Sequence, residues 1–223
     1  LGPRKIEISA SILAADFSDL GRAVRDAEDA GADSIHIDYM DGHYVHNLTF
    51  GLDLIPALKR HTGLPLLVHL EIANPDDFIT DFAQAGADMI TVCEDTCPDL
   101  GATLGAIRSE GVKAGVSINP DQPLELVEGH WDELDMILLM SVVPGWGGQA
   151  FIPSVLPKIA EARRLIDGLD RPIALGVDGG VNRDTVVDVV RAGADTLIMG
   201  SAVYSGGNVA SNMGHLRDSI ASS

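Results

Sequence analysis

Ala30-Gly31-Ala32-Asp33-Ser34-Ile35-His36-Ile37-Asp38-Tyr39-Met40-Asp41-Gly42 carries the end of a helix, a turn and a complete strand. A glycine just past a helix accepts the left-handed conformation that stops it. The apolar and β-branched run that follows reads as a strand over Ser34–Met40. Its period of two sends His36, Asp38 and Met40 to one face. An imidazole and a carboxylate at i, i+2 on one strand face can grip one divalent metal ion.

The same tetrapeptide recurs at Ala85–Asp88 and Ala192–Asp195, each time between a helical pattern and an apolar run. The repeat reports one βα unit used several times. Strands are expected at Lys5–Leu13, Ser34–Met40, Pro65–Ile72, Met89–Asp95, Lys113–Asn119, Met136–Val142, Pro172–Asp178 and Thr196–Val203. Helices are expected at Asp16–Ala30, Pro75–Ala85, Leu100–Glu110, Pro153–Leu165 and Asn182–Ala192, with Asn74-Pro75 and Asn182 as N-terminal caps. Eight strands alternating with helices over this length fit a (β/α)8 barrel, a TIM barrel, better than a doubly wound open sheet. No linker or charge block divides residues 1–223, so one domain is expected; Leu1-Gly2-Pro3 reads as a cloning remnant and carries no argument.

The 223 residues are enough for a full core; 46% are hydrophobic but only 4% aromatic, which suits parallel strands covered by helices. A formal net charge of -18 argues against nucleic acid and anionic membrane as partners. No apolar run approaches the ~18 residues of a membrane span, and no secretory pattern is present. Cys93 and Cys97 do not make a disulfide scaffold. The chain reads as cytoplasmic.

In a barrel of this kind the chemistry belongs at the C-terminal ends of the strands. Ser11 falls there on strand 1, His36 and Asp38 on strand 2, His69 on strand 3, Met140 on strand 6 and Asp178 on strand 7. Strands 2 and 3 lie across the mouth from strand 7, so a small substrate between them has Asp38 on one face and Asp178 on the other. Two carboxylates flanking one carbon suit inversion of a stereocentre, one removing a proton and the other returning one. That carbon must lie beside a carbonyl. A divalent ion held by His36, Asp38, His69 and Asp178 would polarise the carbonyl and stabilise an enediolate. Mixed nitrogen and oxygen ligands fit Zn2+, Fe2+, Mn2+ or Co2+, with Zn2+ the first expected. Three glycine-rich turns follow strands 6, 7 and 8: Pro144-Gly145-Trp146-Gly147-Gly148-Gln149, Asp178-Gly179-Gly180 and Gly200-Ser201. Backbone N–H groups there could hold a phosphate without any Lys or Arg. Lys5, Lys59, Lys113 and Lys158 all avoid the C-terminal strand ends, which removes Schiff-base chemistry.

The stretches His36–His43 and Met140–Gln149, with Ser11-Ile12-Leu13 and Gly200-Ser201-Ala202, resemble the ribulose-phosphate 3-epimerase family over nearly the whole chain. The resemblance implies interconversion of D-ribulose 5-phosphate and D-xylulose 5-phosphate, with His36, Asp38, His69 and Asp178 as metal ligands and Asp38 and Asp178 as the acid/base pair. It also implies substrate contacts from Ser11, Gly145, Trp146, Gly147, Gly148, Gly179, Gly180, Gly200 and Ser201, with Met40 and Met140 lining the reacting carbon. Decarboxylases on a similar barrel carry Asp-x-Lys where this chain has Asp38-Tyr39-Met40.

The chain departs from the family pattern at Tyr39, which parity turns outward, and at Cys93, His46, Val143 and Trp146 around the mouth. Glu71 matters most. It shares parity with His69 and points into the site, where the family usually has a third Met. A charged carboxylate there would repel an enediolate unless it is protonated, bound to metal or hydrogen-bonded to a sugar hydroxyl. The sequence therefore points to a metal-dependent ketose-phosphate 3-epimerase acting as a homo-oligomer on a small phosphorylated ketose. An epimerase for a tetrulose or hexulose phosphate and a non-catalytic phosphosugar-binding protein stay open as alternatives.

Overall fold

The computed structural model describes residues 4–222; Leu1-Gly2-Pro3, read above as a cloning remnant, lies outside them. Eight parallel strands close into a barrel in chain order: β1 Glu7–Ser11, β2 Ser34–Met40, β3 Leu66–Glu71, β4 Met89–Cys93, β5 Lys113–Ile118, β6 Met136–Met140, β7 Ala174–Asp178 and β8 Thr196–Met199. Helices α1 Leu20–Asp29, α2 Leu54–Leu58, α3 Ile79–Ala85, α4 Leu100–Ser109, α5 Leu156–Asp167, α6 Val186–Ala192, α7 Ser201–Tyr204 and α8 Val209–Ala221 surround it. The β5–β6 crossover has no α-helix and uses two 3-10 turns, Leu124–Val127 and Trp131–Glu133.

Strand parity divides the core into two. Outward residues such as Ile35, Ile37, Val68, Leu70, Ile90 and Val92 form one large cluster against the helices. Tyr39 belongs to it, with its ring edge-on to Phe82 at 4.6 Å. Inward residues Leu67, Met89, Met136, Leu138 and Ile198 fill the barrel beneath the site. A Cβ at Gly176 would fall 2.7 Å from Leu138 Cδ1, so its absence makes room for that floor.

The aspartates that follow the helices clamp the opposite, N-terminal end of the barrel. Asp33 accepts the Ile8 N–H (2.9 Å), Asp88 the Leu66 N–H (2.8 Å), Asp135 the Ala114 N–H (2.9 Å) and Asp195 the Leu175 N–H (2.8 Å). The backbone N–H of each aspartate returns to the carbonyl of the same residue. Every even strand is thus tied by its leading Asp to the odd strand before it. Each carboxylate also meets a cation: Lys5 at Asp33, Lys59 at Asp88, Arg171 at Asp135 and Arg163 at Asp195.

Gly31, Gly86 and Gly193 take positive φ values of 86°, 107° and 119°, as the repeat requires. Several expected bounds shift. The eighth strand ends at Met199, not Val203, because the chain turns at Gly200 and Ser201–Tyr204 winds into α7. The sixth ends at Met140; the Ser141 N–H still bonds Asp178 O, and its hydroxyl donates to Asp178 O and Gly179 O at the end of β7. Asn182 does not cap α6, which begins at Val186; its Oδ1 accepts the Asp184 N–H in a turn ahead of the helix. Asn74 opens only a 3-10 turn, and its side chain donates to Asp77.

The clamp predicts a stability effect far from the mouth. Asp195→Ala leaves the Leu175 N–H without its acceptor and removes one partner of Arg163, a loss of about 1–3 kcal/mol. For a chain of this size that lowers Tm by roughly 2–12 °C, whereas Asp195→Asn, which keeps an acceptor oxygen, should lose clearly less. Thermal denaturation of the two variants checks this, and an unchanged Tm in Asp195→Ala would contradict the clamp.

Candidate metal and substrate site

At the other end of the barrel, the inward residues at the tips of β2, β3 and β7 converge. Donor atoms of His36, Asp38, His69 and Asp178 all lie within 4.8 Å of one another. His36 Nε2 stands 2.9 Å from Asp38 Oδ1 and 3.4 Å from Asp178 Oδ2. His69 Nδ1 stands 3.2 Å from the same Asp38 oxygen, and Ser11 Oγ donates to Asp38 Oδ2 at 3.1 Å. His36, Asp38 and His69 are buried and Asp178 is partly open. Asp38 is central because its strand pairs it directly with His69, and β2 places His36 two residues before it on the same face.

Electrostatics fixes the protonation of this group. Burial opposes a charge on His36, but Asp38 and Asp178 outweigh it and push the imidazole up to about 10. Burial also opposes ionisation of Asp38, yet His36 and His69 hold its carboxyl well below the usual range. A proton on His36 therefore does in the metal-free chain what a cation would do, sitting between two carboxylates.

His69 is oriented from behind. The Ser117 hydroxyl donates to Val92 O (3.3 Å) and faces His69 Nε2 at 2.9 Å, so its oxygen is the acceptor for the ring N–H. With an ion bound, this arrangement would leave the Nδ1 lone pair to face it; without one, Nδ1 lies at hydrogen-bond distance from Asp38 Oδ1. The donor set and its spacing fit a divalent ion held by two nitrogens and two carboxylates.

Above the four donors opens a cavity. Ser11, Met40, Glu71, Met140, Gly145, Trp146, Gly147, Gly148, Gly179, Gly180, Gly200 and Ser201 line it together with Asp38 and Asp178. His36 and His69 are buried and do not line it. Sequence reasoning did not reach Leu13, Ala14, Val142, Val181 or Ile198 on its wall, nor Ser117 behind His69. For Ser117 the signal was present: it shares inward parity with Gly115 on β5, next to the β4 neighbours of His69.

Gly179 and Gly180 have φ of 112° and 66°, and a Cβ at either would collide, with Val142 at the first and with the Phe151 backbone at the second. The chain there packs against the β6 loop as bare backbone. Asn47 Nδ2 donates to Gly145 O at 2.9 Å, tying the β2 loop to the β6 loop. Val143 and Trp146 stand 66% and 59% exposed, so this rim faces solvent. His46 is also exposed.

Glu71 is buried, 2% exposed, among these walls. Burial first, then the charges of Asp38 and Asp178, raises its carboxyl well above the ordinary range. Burial likewise raises the Cys93 thiol, which lies 3.7 Å from His69 Nε2 as a thiol and not a thiolate.

The model described as the ribulose-phosphate 3 epimerase family matches residues 7–204. The ribulose-phosphate 3-epimerase of Bacillus subtilis (strain 168) is 50% identical over 200 residues, 89% of this chain and 92% of that protein. The protein of the same name from Escherichia coli (strain K12) is 44% identical over 198 residues, 88% of each. Among solved structures, KGPDC from Streptococcus mutans has a TM-score of 0.73 at 16% identity, covering 98% of this chain and 99% of that one. Orotidine 5'-phosphate decarboxylase from Pyrococcus horikoshii OT3 has a TM-score of 0.70 at 19% identity, covering 96% and 99%. Likeness at such low identity concerns the fold alone.

The proton on His36 makes a measurable prediction. Its affinity is raised from the ordinary 6.5 to about 10, so the ring is protonated throughout pH 7–9 and the ion pair is lost only as pH rises through about 10. A metal ion must displace that proton, and uptake at pH 8 should release about one proton per ion. Titration of metal-free protein with Zn2+ in two buffers of different ionisation enthalpy reads the number. Uptake without proton release would contradict the charge assignment.

Proposed function

This chain belongs to the ribulose-phosphate 3-epimerase family, and we propose that it inverts C3 of a small phosphorylated ketose, D-ribulose 5-phosphate and D-xylulose 5-phosphate being the pair. It is an isomerase. The observation that supports the site assignment is the pair of carboxylates, Asp38 on β2 and Asp178 on β7, brought together at the barrel mouth from non-adjacent strands around one imidazole.

In this reading Asp38 and Asp178 act on opposite faces of C3: the carboxylate that is ionised takes the C3 proton, the other, carrying a proton at that stage, returns one to the opposite face, and the roles reverse for the other epimer. His36, Asp38, His69 and Asp178 hold a divalent ion, which when bound supplies polarisation of the adjacent carbonyl and offsets the negative charge that develops. Zn2+ is the first ion expected from the donor set, with Fe2+, Mn2+ or Co2+ as alternatives. Ser11 Oγ orients the Asp38 carboxylate through its 3.1 Å hydrogen bond. Met40 and Met140, both buried, pack against the reacting carbon and keep water from it. The backbone at Gly145, Gly147, Gly148, Gly179, Gly180, Gly200 and Ser201 binds the phosphate, with Trp146 lining the same side of the cavity. Such turns after strands 7 and 8 are a frequent phosphate site in this barrel, and they suit a chain of net charge -18 because they need no basic side chain.

The whole chain acts as one barrel domain in the cytoplasm, as a homo-oligomer. Among the described residues no helix is long and apolar enough to cross a membrane. Leu48, Val143 and Trp146 give the rim an exposed apolar character that supports association.

Turnover of D-ribulose 5-phosphate in deuterated water tests the reading. Metal-loaded protein should wash deuterium into C3 of product, whereas a phosphosugar-binding protein would not, and a tetrulose or hexulose phosphate as the better substrate would point to the alternative epimerases. Asp178→Asn should lower kcat by about 100- to 10,000-fold. Full epimerase activity in that variant would remove Asp178 from the mechanism.

A further inference from the structure

Glu71 ends β3 inside the cavity, and its Oε2 is buried with no hydrogen-bond partner among the described residues. Its Oε1 lies 3.9 Å from His69 Nδ1, beyond hydrogen-bond reach. Buried polar atoms are almost always paired, so an unpaired carboxyl oxygen on the wall of a cavity marks a position that a ligand completes.

The topology says which part of the ligand. In the closed ring β3 lies opposite β7, and the glycine turns follow β6, β7 and β8 on the far side. A ketose phosphate with its phosphate at those turns and C3 between Asp38 and Asp178 must direct its other end, C1 and C2, toward β2 and β3. The C2 carbonyl is the group that activation of C3 uses. The C1 hydroxyl is then the polar group left to face Glu71. A methionine at this position could pack against that end but could not bond it.

Resting on the epimerase reading above, we propose that Glu71 is a specificity-determining residue that hydrogen-bonds the C1 hydroxyl, so that the site selects ketose phosphates with a hydroxymethyl terminus over 1-deoxy analogues.

The experiment is a cycle between residue and substrate. The kcat/KM of metal-loaded wild type, Glu71→Gln and Glu71→Met is measured for D-ribulose 5-phosphate and for 1-deoxy-D-ribulose 5-phosphate, with the metal content of each protein. The intrinsic change in reactivity on deleting the hydroxyl is common to all three and cancels. Wild type should favour the hydroxylated substrate at least about 10-fold more strongly than Glu71→Met does, the size expected for an unpaired group in a closed site. Glu71→Gln, which keeps a donor and an acceptor at nearly the same shape, should retain most of that preference even if Glu71→Met folds poorly. The same preference in wild type and both variants overturns the proposal and leaves the epimerase intact. Loss of metal from Glu71→Gln and Glu71→Met also overturns it, making Glu71 a ligand. A wild type inactive on every ketose phosphate overturns the epimerase reading and this proposal together.

Discussion

The ionised carboxylate of Asp38 sits 4% exposed at the centre of the barrel mouth, and the site is arranged around the need to hold that charge. Taking a carboxylate out of water costs several kcal/mol unless it is paired and hydrogen-bonded. Asp38 has His36 and His69 on one oxygen and the Ser11 hydroxyl on the other. The same pairing that makes its burial tolerable also brings together the donors of a metal site. Stability and chemistry therefore act through the same atoms: removing either imidazole would leave a buried charge short of a partner as well as a ligand set incomplete.

That arrangement depends on precise strand register, and the opposite end of the barrel supplies it. Asp33, Asp88, Asp135 and Asp195 each fix the start of one strand against the next by two backbone contacts. A slip of one residue would turn His36 and Asp38 outward into the apolar layer and bring Ile35 and Ile37 to the mouth. The two ends of the barrel thus divide the work, with carboxylates paired to backbone and cations below, and carboxylates paired to imidazoles above. The floor of Leu67, Met89, Met136, Leu138 and Ile198 separates them.

Much of this was legible in the sequence because it is written in short-range patterns. The alternation in Ser34–Met40 marks both the strand and the face on which His36 and Asp38 meet, and Ala-Gly-Ala-Asp marks the helix ends. What stayed hidden depends on contacts between distant segments. The fourth aspartate clamp, Asp135, follows a 3-10 turn and lacks the glycine signature of the other three, so nothing local distinguishes it. Helix α2 is one short turn and a half, too brief to show a period, and the capping role expected of Asn182 lost to a turn that its own side chain stabilises. Ser117 could be placed inward by parity, but its role behind His69 is a matter of three strands meeting. Glu71 was visible as an oddity; that its carboxyl is raised above the ordinary range follows only from its burial beside two carboxylates.

Inversion by two carboxylates requires C3 of the substrate to lie between Asp38 and Asp178. A crystal structure of the metal-loaded protein with a non-reactive polyol analogue, such as ribitol 5-phosphate, tests this most directly. The phosphate is expected on the backbone of Gly179, Gly180 and Gly200, and the C3-equivalent carbon with one carboxylate on each of its faces. Both carboxylates on the same face of that carbon, or the phosphate bound away from the glycine turns, would contradict it.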